Sequence, residues 1–217
     1  MRQLIRVVAA LSLCMSARAA QAQYYAQQYQ PFWDRPFHFG ASVGGAIPTG
    51  NYANNVYGGW DFGLNFAVPL AHRSPFWFQI DLNYASFGVN DQTLIQHGAN
   101  TGYSSLSSAT GNLVYNFQTT GPVTPYILGG GGIYDRYTQL ANVTGTYVYC
   151  DPFFGWCGYY GSYDLRGRTE IAGGWDAGGG FRFRMRPVRV FIEARYISAL
   201  TNHGSTNIVP ITIGVEW

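Results

Sequence analysis

The 217-residue sequence contains no lysine; all 13 of its basic residues are arginine. That absence excludes a P-loop phosphate site, a Schiff-base lysine and a lysine general base. Charge of either sign is scarce, at 11% of residues, where a typical soluble protein carries about 25%. Three arginines (Arg2, Arg6 and Arg18) lie in an N-terminal leader, which leaves ten against eleven Asp and Glu. The remainder is near neutral and offers no basic surface to nucleic acid. The four histidines, His38, His72, His97 and His203, are scattered with no HExxH, so no metal site is expected. The glycine runs at 129–132 and 173–180 do not form a GxGxxG turn entering a helix, and no cofactor is expected. Beyond the leader, no stretch approaches the ~18 apolar residues of a transmembrane helix.

What is present is aromatic residues, at 17%, and 28 glycines, a composition suited to many strands and turns. Residues 1–22 read as a secretory signal peptide: Arg2 and Arg6, an apolar run from Val7 to Met15, then small residues, with cleavage placed after Ala22. Residues 23–36, rich in Tyr and Gln and without any period, read as an N-terminal tail. With the leader removed, Cys150 and Cys157 remain. An even count in an exported chain suggests a disulfide between them.

From residue 37 to 217 the sequence alternates with a period of two in segment after segment. Eight strands are expected: 37–47, 58–70, 75–87, 103–117, 124–137, 168–183, one beginning at Val188, and one ending at Trp217. Short turns at 71–74, 119–122 and 184–187 interleave with longer loops at 48–57, 88–102, 138–167 and 199–206. Residues 138–167 make the longest loop, holding both cysteines. In strand five, Tyr126, Leu128 and Tyr134 are assigned to the apolar face.

The closing pair of strands poses the main question. Val188, Val190, Ile192, Ala194 and Tyr196 share one face, and Arg189, Phe191, Glu193 and Arg195 the other. Val209, Ile211, Ile213, Val215 and Trp217 likewise alternate with Pro210, Thr212, Gly214 and Glu216. A soluble sandwich or ligand-binding barrel would put the apolar face inside; a transmembrane barrel would turn it to lipid. Strands longer than the usual five or six residues, with short turns at one end and long loops at the other, favour the barrel. Closure also leaves no sheet edge unpaired in lipid. The expected fold is therefore all-β: an eight-stranded antiparallel transmembrane β-barrel with short periplasmic turns and longer extracellular loops.

Four stretches carry a family resemblance: TPYILGGGG at 124–132, AGGGFRF at 177–183, FIEARY at 191–196 and VPITIGVEW at 209–217. In this order, behind a signal peptide, they resemble the small outer-membrane β-barrel proteins of Gram-negative bacteria, of the opacity-protein and outer-membrane protein A barrel type. The resemblance implies an outer-membrane location, contact with outer-membrane lipid and lipopolysaccharide, and insertion by the barrel-assembly machinery. That machinery reads a terminal aromatic, usually Phe in the family; Trp217 takes its place here. The fold itself implies little about activity, since it hosts adhesins, anchors, narrow pores and a few enzymes.

The interior of an eight-stranded barrel is just wide enough for side chains to fill it, and charges buried there must pair. Asp61, Asp81, Asp176, Arg182, Arg189, Glu193, Arg195 and Glu216 are the expected interior network, with Arg182 opposite Glu193 and Arg189 near Glu216. The aromatic loop around Cys150 and Cys157 is a candidate contact for an extracellular partner. A His-x-Ser pair at His203 and Ser205 echoes outer-membrane lipid A deacylases, but it falls in a loop tip far from Glu193. The reading is a non-catalytic barrel with a structural or adhesin-like surface role. A narrow channel for small solutes is the alternative, and a lipid A-modifying hydrolase the third.

Overall fold

The computed structural model describes residues 37–71, 74–119, 121–150, 157–185, 187–201 and 204–217. The signal peptide, the tail and His203 lie outside the described residues. Eight strands follow in order: β1 (His38–Thr49), β2 (Val56–Pro69), β3 (Phe76–Val89), β4 (Thr101–Asn116), β5 (Val123–Cys150), β6 (Cys157–Met185), β7 (Val188–Thr201) and β8 (Gly204–Glu216). Each pairs antiparallel with the next, and β1 pairs with β8 to close a barrel. A 3₁₀ turn, Gly50–Asn54, joins β1 to β2. A six-residue helix, α1 (Asp91–Gln96), lies between β3 and β4, its N-terminus capped by the Asn90 side chain, which accepts from Thr93 N–H at 2.8 Å. Among the described residues no helix is long and apolar enough to cross a membrane.

Burial follows the period of two and runs opposite to that of a soluble protein. Buried inside are His38, Asp61, Asn65, Gln79, Asp81, Asn112, Asn116, Asp176, Arg182, Glu193, Arg195 and Glu216. Exposed outside are Val43, Phe62, Phe78, Ile80, Leu82, Leu113, Ile127, Phe181, Ile192, Ile211 and Ile213. An exterior this apolar over every strand would be untenable in water. In lipid it is the required surface.

Two bands of aromatic rings bound that surface. At the end carrying the short turns, Phe37 stacks on Phe66, Phe76 packs on Tyr115, Tyr115 on Phe117, and Trp217 meets Phe39 edge-on at 5.3 Å. Toward the other end, Trp60 packs on Tyr84 and Trp175 on Tyr196, each at 5.4 Å. On β3 the bands are eight residues apart, Phe76 to Tyr84, or about 27 Å along the strand. Tilted by about 40°, that spans roughly 21 Å, near the ~25 Å apolar band of such barrels.

Three expectations need correction. In β5, Tyr126, Leu128 and Tyr134 point inward and are buried, while Ile127 and Ile133 face outward. The large rings fit because β6 supplies glycine beneath them. A Cβ on Gly180 would lie 2.8 Å from Tyr126 Oη, and one on Gly174 would lie 2.8 Å from Tyr134 Cε2. The second correction is the expected loop at 138–167. Its described residues are strand, continuing the β5–β6 ladder as far as the Cα partners Cys150 and Cys157. The 199–206 loop shrinks as well, since Thr201 and Gly204 already pair.

Candidate functional site

The barrel interior is built in layers. At its middle, Arg195 on β7 reaches three carboxylates on three strands. Its Nε and Nη2 donate to Glu193 Oε1 at 3.0 and 2.7 Å, and its Nη1 lies 2.9 Å from Asp176 and 3.3 Å from Asp81. Neutral donors complete the carboxylate shells. Asn112 Nδ2 donates to Asp81 at 2.7 Å and Asp176 at 3.2 Å, Gln79 Nε2 donates to Asp81 at 2.8 Å, and the Tyr126 hydroxyl donates to Glu193 at 2.8 Å. Such charge-assisted bonds are the strong class, and burial raises the stakes of each.

Nearer the turn end, Arg182 donates to Glu216 at 3.0 Å and to Asn116 at 2.5 Å, and stacks over the Tyr126 ring at 3.7 Å. Arg189 and Glu216 are Cα partners, with Nη2 3.4 Å from Oε2. Arg182 is not opposite Glu193 as expected. Its Cα partner is Phe191, and Glu193 faces Gly180. The β6–β7 register is set two residues from the expected fold about Pro187, which delivers Arg182 to Glu216 instead.

Apolar clusters cap this ionic layer at both ends. Ala67, Trp77, Val114, Tyr126 and Leu128 pack at the turn end, where His38 stacks on Trp77 at 4.5 Å. Tyr52, Phe87, Leu106, Tyr134, Ile197 and Ile208 pack toward the loop end. Beyond them Arg136 donates to Glu170 at 2.6 Å and to Thr206 at 2.9 Å. The sequence reading omitted Arg136 and Glu170. They lie on even positions of β5 and β6, as Asp176 and Arg182 do, and that shared parity was the available signal.

The loop end carries one large projection. Pairing of β4 with β5 stops at Thr101 and Ala141, and pairing of β6 with β7 stops at Gly174 and Ala199. Residues 142–150 and their partners 157–164 on β6 therefore form a two-stranded ribbon standing clear of the barrel. Nine residues of antiparallel strand reach about 30 Å. The disulfide expected between Cys150 and Cys157 involves side chains outside those described; their backbones are partners at the ribbon's end.

No family model and no curated protein matches the chain. Among solved structures it is similar to Neisserial surface protein A, at 16% identity over 84% of this chain and 96% of that one, with a TM-score of 0.53. The fold is that of a small outer-membrane β-barrel. The attachment invasion locus protein Ail of Yersinia pestis (14% identity, 84% and 100% coverage, TM-score 0.44) and the outer membrane protein OprG of Pseudomonas aeruginosa (12%, 83% and 95%, 0.46) are more distant matches.

Of the residues weighed for hydrolysis, the two that are described, Glu193 and Ser205, are not brought together. Glu193 is held by Arg195 and Tyr126, and its Cα partner is Thr212. Ser205 lies seven residues further along β8, about 24 Å away, where its hydroxyl accepts from Asn207 at 3.0 Å.

Proposed function

We propose that the protein is a non-catalytic bacterial outer-membrane barrel whose role is surface interaction, carried by the β5–β6 ribbon on the extracellular side. The observation that supports this reading is the ribbon itself. It is the one connection among the described residues extended well past its neighbours, and the sequence from 147 to 163 is dense in tyrosine, with Phe153, Phe154 and Trp156 between the cysteines. Aromatic side chains supply large contact area at low entropic cost. A Cys150–Cys157 bond would pre-organise that tip. In this reading Trp217 serves as the assembly signal, and lipopolysaccharide surrounds the barrel's outer half.

The channel reading is weaker, because Arg195 bridges the lumen and apolar side chains close it on both sides. The test is adhesion of cells displaying the full protein, or a form with residues 143–163 replaced by a two-residue Asn-Gly turn between the partners Asn142 and Asp164, to immobilised glycans and extracellular matrix proteins. Adhesion lost with the ribbon, while heat-modifiable gel mobility is kept, supports the proposal. Equal adhesion by both forms, or none by either, overturns it. Steady single-channel conductance of the intact protein in planar bilayers would favour the channel.

A further inference from the structure

The buried charges of the middle and turn-end layers do not balance. Asp61, Asp81, Asp176, Glu193 and Glu216 are five carboxylates against three guanidinium groups, Arg182, Arg189 and Arg195, all within the barrel. Arg182 and Arg189 both go to Glu216. The surplus of negative charge therefore falls around Arg195, which is shared by Asp81, Asp176 and Glu193. Asp61 is the fourth carboxylate there. It is 2% exposed, and its Oδ2 has no hydrogen-bond partner.

Asp61 lines a cavity of about 10 Å³ between β1, β2, β3, β7 and β8. That is room for one water-sized occupant. The rest of the wall is rich in neutral oxygen: Ser42, Asn65, Asn83 and Thr212 line it together with Asp81, Glu193 and Arg195. Asn65 is also buried, with its Oδ1 unpartnered. Gly63 keeps the space open. A Cβ there would sit 2.5 Å from Asn83 Oδ1 and 2.7 Å from Ser42 Oγ, so both oxygens converge on the volume a side chain would fill. Among the described residues no group of three or more His, Cys, Asp or Glu could hold a metal ion. One unpaired carboxylate sharing a cavity with hydroxyl and amide oxygens, beside Asp81 and Glu193 that Arg195 only partly balances and with Leu64, Phe191, Ile197 and Pro210 closing the rest of the wall, is instead a donor set for a small monovalent cation.

We propose that this cavity binds a single Na⁺-sized cation against Asp61, completing the charge balance of the barrel interior. Burying an uncompensated carboxylate is costly, and a ligand that binds only the folded barrel stabilises it in proportion to the logarithm of its concentration. The experiment measures the thermal unfolding midpoint of the detergent-solubilised protein above pH 8, by heat-modifiable mobility, in NaCl, CsCl or N-methylglucamine chloride at equal ionic strength. The midpoint is expected to rise with Na⁺ and not with the two larger cations. Asp61→Asn removes the charge and Gly63→Ala fills the cradle; each is expected to weaken the Na⁺ dependence at least tenfold. If neither variant folds, the cation comparison on the unaltered protein still decides. Equal midpoints in all three salts overturn the proposal, as does an infrared carboxylic acid band in NaCl that Asp61→Asn abolishes, since a proton would then supply the balance.

Discussion

Replacing Arg195 by Ala should destabilise the barrel more than any other single truncation in the lumen. The guanidinium lies within 2.7–3.3 Å of Glu193, Asp176 and Asp81. At an effective dielectric of about 20, one unit-charge pair at 4 Å is worth about 4 kcal/mol before desolvation is subtracted. Removing one partner of a buried pair costs about 3–5 kcal/mol, because the other charge stays buried and unpaired. Here three carboxylates lose the same cation and are left to repel one another, so the loss should lie at the top of that range, about 5 kcal/mol. The assay is reversible urea unfolding in lipid vesicles, followed by tryptophan fluorescence. Arg195→Met combined with Asp81→Asn, Asp176→Asn and Glu193→Gln keeps the volume and removes the charges, and should recover most of the loss. An Arg195→Ala barrel within about 1 kcal/mol of the parent would mean that the three carboxylates do not depend on this cation and that the cluster is not buried.

Three further predictions follow from the same geometry. Tyr126→Phe leaves Glu193 Oε2 without its hydroxyl donor and should cost about 1–3 kcal/mol in the same unfolding assay. Ile213→Arg places a charge on the lipid-facing side and should cost about 2–4 kcal/mol in vesicles. Ile95→Arg, on a helix residue 79% exposed at the loop end, should change stability by no more than about 0.5 kcal/mol, and the contrast between the two substitutions is the readout.

Most of the barrel was legible because one physical rule, the period of two, repeats in each strand and assigns each residue a face. β2, β3, β7 and β8 carry it cleanly, with Asp61, Asp81, Glu193 and Glu216 on one parity and large apolar residues on the other. The rule failed in β5 because its inward positions are also large and apolar. Tyr126 and Tyr134 fill the lumen over Gly180 and Gly174, and that complementarity belongs to a neighbouring strand rather than to β5. The ribbon reads as loop in the sequence because Gly145, Gly158 and Gly161 signal turns, while the ladder that extends them is a non-local pairing. The partner of Arg182 was missed for a related reason. Hairpin register depends on turn geometry, and a two-residue error sends a long side chain to a different carboxylate.

The apolar parity of each strand faces lipid and the charged parity fills the lumen. Spin labels on single cysteines at Ile211, Thr212, Ile213 and Val215 of the reconstituted protein test it directly, by comparing accessibility to oxygen with accessibility to a polar relaxant. High oxygen and low polar-relaxant accessibility are expected at positions 211, 213 and 215, with low accessibility to both at position 212. Polar-relaxant accessibility at 211, 213 and 215 equal to that of an aqueous surface site would contradict it.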